Sequence, residues 1–138
     1  MNHSIKHASE WQSLVDLAKK NKLTADQAIF LLALREVENG SAGTEFNVKS
    51  VQGTNLELQA KHAIGSILKN EKRWHDYLRD KEWIDFLDFF ITKGGPYGSG
   101  WRLVQRDEWI KDMKYYINKV TKEMSDGFGR IDYMGKQV

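Results

Sequence analysis

Residues 24–40, TADQAIFLLALREVENG, decide the fold. Thr24 followed by Gln27 spells a capping box, in which the threonine hydroxyl and the glutamine side chain each take a backbone N–H that the first helical turn leaves free. Ile29, Phe30, Leu31, Leu32, Ala33, Leu34 and Val37 follow, and at about 100° per residue they cover nearly the whole circumference. A helix that is apolar on every side lies at the centre of its domain. Asn39 and Gly40 supply the stop. Arg35, Glu36 and Glu38 fall in the last turn, so the central helix is expected to end in charge.

Outward from this helix the same period recurs. Glu10 to Lys20 predicts a first helix carrying Trp11, Leu14, Val15, Leu17 and Ala18 inward, ended by Asn21 and Lys22. Between Gly40 and Gly53 the composition turns to Gly, Ser, Thr and Asn, and the alternation over residues 46–51 predicts a small hairpin. Thr54 with Glu57 reads as a second capping box, opening a helix with Leu56, Ala60, Ala63, Ile64, Ile67 and Leu68 inward. Glu71 to Leu78 reads as a separate short helix with Trp74 and either Tyr77 or Leu78 facing the core. Asp80 is expected to cap a helix holding Trp83, Ile84, Phe86, Leu87, Phe90 and Ile91, which must end at Gly94, Gly95 and Pro96. Asp107 to Glu123 predicts a last helix with Trp109, Ile110, Met113, Tyr116, Ile117 and Val120 on one face, followed by a loosely held tail from Ser125 to Val138. The expected fold class is mainly α, with five to six helices around a central buried one and a small irregular or hairpin region after it.

Composition sets outer limits. A chain of 138 residues fits one domain, and 41% hydrophobic residues with five Trp, five Tyr and six Phe can fill its core. No apolar run approaches the ~20 residues that cross a bilayer. Zero cysteines exclude disulfides, zinc–thiolate sites and cysteine nucleophiles. The start of the chain lacks the pattern of a secretory signal, so synthesis in the cytoplasm without a signal peptide is expected. A net charge of +2 is mild for a nucleic-acid binder, and Lys69, Lys72, Arg73 and Lys81 are interleaved with acids, so no nucleic-acid partner is expected. His3, His7, His62 and His75 do not assemble a metal site, and no cofactor motif occurs.

Glu38 is the residue around which chemistry gathers. The C-terminal end of a helix carries partial negative charge, which disfavours a carboxylate, and burial against Leu31, Leu34 and Leu58 would act in the same direction. Both raise the pKa, as a general acid for a glycosidic oxygen requires. The alternative is a solvated residue paired with Arg35 or Lys49. Glu36, roughly 160° away around the helix, is expected to pair with a lysine of a neighbouring helix, with a secondary part in substrate binding and as the second candidate for the acid.

The run Ala33 to Gly40, in which an apolar helix ends in Glu38-Asn39-Gly40, resembles the catalytic helix of lysozyme-like enzymes, particularly lytic transglycosylases and bacterial glucosaminidases. Glu45 to Val48, Trp83 to Phe90, the loop at Tyr97, and Trp109 with Ile110 extend the likeness to small phage and prophage proteins of that superfamily, over about residues 24–120. The resemblance implies a lysozyme-like α+β domain that cleaves the glycan strand of peptidoglycan. It matches Glu38 to the family's acid and Tyr97 to a tyrosine on the facing loop. It also implies a phage-type enzyme delivered to the wall by a holin or virion, expected to act as a monomer. The chain lacks the Gly-Leu-Met-Gln and Tyr-Asn-Ala-Gly runs of familiar transglycosylases, which favours hydrolysis.

Hydrolysis commonly uses a second carboxylate, about 5 Å away for retention or roughly 6.5–9.5 Å for inversion. Glu45 on the following loop is the first candidate, an exposed loop charge being the alternative. Ser50, Thr54 or Asn55 would otherwise hold a water, with Thr54 and Asn55 facing substrate. Tyr97 and Trp101 are expected to line the sugar groove through their aromatic faces. A non-enzymatic phage structural or glycan-binding module of the same fold is the second reading.

Overall fold

The computed structural model describes residues 4–80, 83–92 and 103–126. Its α-helices are α1 (Trp11–Lys20), α2 (Ala25–Glu38), α3 (Leu56–Asp80), α4 (Phe86–Thr92) and α5 (Leu103–Asp126). Single 3-10 turns occupy Ala8–Glu10 and Lys49–Val51, and no strand occurs among the described residues. The protein is mainly helical, as the periodicity predicts. Among the described residues no helix is long and apolar enough to cross a membrane.

The capping box at the head of α2 forms as expected: the Thr24 hydroxyl accepts the Gln27 N–H at 3.2 Å, and the Gln27 side chain accepts the Thr24 N–H at 2.9 Å. Ala28 through Glu36 are all buried, so α2 is enclosed on every side. It packs most extensively against α5 and also against α1 and α3. Leu31 and Leu32 are fully buried, each worth about 1.5–3 kcal/mol of transfer free energy. An aromatic layer closes the α4 side. Phe90 sets its ring edge-on to Phe30 at 5.3 Å and stacks on Trp109 at 5.7 Å. α2 stops where Asn39 takes a left-handed backbone, φ 48°. Gly40 follows because a Cβ there would lie 1.7 Å from the Thr44 carbonyl oxygen.

Several expectations are corrected. The two helices expected between Thr54 and Leu78 are one helix of 25 residues. Its polar middle is a solvated face, while Ile67 and Asn70 continue the buried stripe. Asn55 rather than Thr54 caps it, its side chain accepting the Leu58 N–H at 2.9 Å. Leu68, expected inward, is exposed. Trp83 is 73% exposed and precedes α4, which Asp85 caps by accepting the Leu87 N–H at 2.8 Å. α5 begins before Asp107 and continues past Ser125. The hairpin of residues 46–51 is replaced by a compact loop. The stop expected at residues 94–96 and the tail beyond residue 126 lie outside the described residues.

Gly65 sits within α3, and a Cβ there would meet nothing within 4 Å. Gly65→Ala is therefore expected to stabilise the protein by about 0.5–1 kcal/mol, read from the denaturant midpoint. Tyr116 on α5 is buried and donates to the Ser4 carbonyl at 3.3 Å. Burial pushes its phenol up, helped by the charges of Glu36 and Asp112 and by Tyr115. A raised folded-state value means that the unfolded chain ionises first, so this contribution is intact below about pH 10 and is lost as the pH rises through the folded value. Tyr116→Phe is expected to lose less stability than the parent between about pH 9 and about pH 11, measured by unfolding across that interval.

Candidate functional site

The charged end of α2 organises the site, because its polar groups find their partners on the stretch before α1, on the loop after α2 and on α5. Arg35 is 2% exposed. Its guanidinium donates to both Glu10 oxygens, at 2.6 and 3.1 Å, and to the Glu45 carbonyl at 3.1 Å. Glu36 is 1% exposed and accepts the Lys6 and His7 backbone N–H groups at 2.8 and 3.0 Å. It pairs with no neighbouring lysine side chain among the described residues, contrary to expectation, and its burial removes it from substrate contact. It fixes the segment before α1 instead. His7, expected in a frayed terminus, also bonds Asn39 through Nε2 at 2.7 Å.

Glu38 is half-buried. Its Oε1 accepts from the Asn47 Nδ2 at 3.0 Å and its Oε2 from the Trp109 Nε1 at 3.2 Å. The same Asn47 amide donates to the Glu38 carbonyl at 2.9 Å, which binds the loop to the helix end. These contacts orient the group. Beside it lies a hollow of about 30 Å3 walled by Leu34, Phe46, Val48, Ala63, Ser66 and Phe90. That is the space of a water molecule rather than of a sugar ring.

Asn47 is held in place by a side chain that the sequence reading passed over. Gln59 on α3 is fully buried. Its Oε1 accepts the Phe46 and Val48 N–H groups at 3.0 and 3.2 Å. Its Nε2 lies 3.1 Å from each of the Gly43, Val48 and Val51 carbonyls. The glutamine amide thus satisfies the backbone that a hairpin partner would have satisfied. Asn47 follows with φ 55°, presenting its amide to Glu38. The signal was present: residue 59 falls in phase with Leu56 and Ala63, a polar residue in an apolar stripe.

The other candidates do not join Glu38. Glu45, the first candidate for a second carboxylate, is neither that nor the exposed loop charge of the alternative reading: it is 5% exposed, and its Oε1 is buried without a hydrogen-bond partner among the described residues. It does not line the hollow beside Glu38. Thr54 donates to the Val51 carbonyl and Asn55 caps α3, so both serve the loop and helix start. Tyr97 and Trp101 lie outside the described residues. Trp109, read as core, is buried and also supplies the indole donor to Glu38. No three acidic or histidine side chains among the described residues gather as a metal site. Comparisons of the chain with family models, curated proteins and solved structures gave no match.

Gln59→Leu keeps much of the volume but removes both the acceptor and the donors that the loop needs. Leaving buried backbone groups unpaired is expected to cost about 2–4 kcal/mol, read by chemical denaturation.

Proposed function

We propose that the protein is a peptidoglycan-cleaving glycosidase of the phage lysozyme type, with Glu38 as general acid. The supporting observation is the Glu38 carboxylate itself, which closes an enclosed helix and is half-open to solvent. Trp109 and Asn47, from two other segments, aim it beside an apolar-walled hollow. The resemblance of residues 33–40 to the catalytic helix of lysozyme-like enzymes points to the same residue.

In this reading Glu38 in its acid form gives its proton to the glycosidic oxygen as the bond to the anomeric carbon breaks. The Trp109 and Asn47 N–H groups hold the carboxyl through the step and accept no proton themselves. Phe90 stacked behind Trp109 keeps the indole from swinging away. Glu45 is a poor partner carboxylate because its Oε1 is sealed, so the attacking water is held by a hydroxyl or amide group beside Glu38, Ser66 being the hydroxyl that lines the hollow, and it gives up its proton to bulk water as it adds to the anomeric carbon. Delivery to the wall would be by a holin or virion. A second reading, a non-enzymatic glycan-binding or structural module, is favoured by the fact that both Glu38 oxygens are already bonded within the protein.

Glu38→Gln separates the two. The amide keeps the volume and cannot act as the acid, so release of new glycan ends from purified cell walls should fall about 10²- to 10⁴-fold. One N–H donor loses its acceptor, at a stability cost of about 1 kcal/mol. A variant that digests walls at the parental rate removes Glu38 as the acid.

A further inference from the structure

At the head of α2, about two to three helical turns from Glu38, a recess of about 240 Å3 lies between α2, α3, α4 and α5. Ile29, Phe30, Ile67 and Leu87 form its buried back. Phe86 and Ile117, both half-buried, leave apolar surface open to it. The Phe30 and Phe86 rings meet at 5.4 Å and 55°, which makes an aromatic corner. A cavity of about 150 Å3 holds benzene, so this recess takes one ring with a short chain. Four bounding helices make it a compact pit, the kind of place between helices where small ligands bind, and not a track for a polymer.

Its polar lining has one sign of charge. No lysine or arginine borders the recess, whereas Asp26 and Glu71 do. Neither acid forms an ion pair among the described residues. Glu71 is half-buried, and its Oε1 accepts from the Gln27 Nε2 at 2.8 Å. The oxygen of the same Gln27 amide accepts the Thr24 N–H in the capping box, so the cap that starts α2 also fixes the Glu71 carboxylate beside the recess. The second Glu71 oxygen has no hydrogen-bond partner among the described residues. Asp26 lies in the first turn of α2, where it already supplies the counter-charge to the positive end of the helix. An anion would gain nothing here.

We propose that this recess binds a small aryl-alkyl ammonium, one aromatic ring joined by a short chain to a primary amine, with the ring in the Phe30–Phe86 corner and the amine donating to Glu71. A hydrogen bond between two ionised groups is about twice as strong as a neutral one, and the aromatic walls attract the cation further. The site is separate from Glu38 and stands whether or not the protein cleaves glycan.

The test is an NMR titration of the isotope-labelled full chain with phenethylamine, beside its neutral and anionic counterparts phenylethanol and phenylacetate. Phenethylamine should bind saturably, with a dissociation constant on the order of a millimolar or tighter, shifting the signals of Leu87 and Ile117 and leaving the Trp109 indole unmoved. Phenylethanol should bind at least about 5-fold more weakly, and phenylacetate more weakly again. Glu71→Gln keeps the shape and can still accept from Gln27, so it should bring the amine down to the level of the alcohol. Thr121→Phe, at an exposed position on the rim, should block the recess and weaken both the amine and the alcohol while the spectrum elsewhere stays native. Absence of saturable binding, equal affinity for the three probes, or shifts centred on Trp109 overturns the proposal. So does an amine affinity that neither variant changes.

Discussion

A helix enclosed on every side must end somewhere, and its end must satisfy whatever polar groups it brings into the interior. In α2 the buried ones are Arg35 and Glu36, answered by the Glu10 carboxylate and the Glu45 carbonyl and by the Lys6 and His7 backbone N–H groups, while the half-buried Glu38 is answered by Asn47 and Trp109. Leaving a buried charge without its partner costs about 3–5 kcal/mol, a large share of the roughly 5–15 kcal/mol that holds a whole domain folded. The segment before α1, α5 and the loop after α2 are thereby committed to one arrangement. The segment before α1 is tied by two backbone N–H groups, α5 by an indole, and the loop by an asparagine and a carbonyl.

The same arrangement separates the three acidic residues of this region by their surroundings. Glu36 is used up by the fold. Glu45 has its backbone carbonyl bonded to Arg35 and Gly40 while its side chain is buried. Glu38 alone combines partial exposure, orientation from two sides and a neighbouring hollow. Two donors from different segments therefore fix the orientation of this carboxylate within the fold itself.

The local signals were legible. The capping box at Thr24, the all-round apolar run and the left-handed stop at Asn39 all follow from chemistry within one or two helical turns, and all appear in the structure. What was not legible came from distance. Gln59 reaches Phe46 across 13 residues, Arg35 reaches Glu10 across 25, and Trp109 reaches Glu38 across 71. No window of sequence contains both partners of such pairs. The polar run from Lys69 to Arg73 was misread as a break because a long helix with one solvated face shows stretches rich in charge. Trp83 was misplaced by composition, since an aromatic beside Ile84 and Phe86 reads as core until Asp85 starts the helix after it. The place of Glu38 in the charged last turn of α2 was legible from the sequence. The donors that aim it were not.

The most direct measurement is mass spectrometry of the soluble material released when the unmutated protein is incubated with purified peptidoglycan. The account predicts fragments with newly formed glycan ends, whose mass also distinguishes muramidase, glucosaminidase and transglycosylase cuts. Glycan strands recovered at their original length, with the protein merely bound to them, would contradict it.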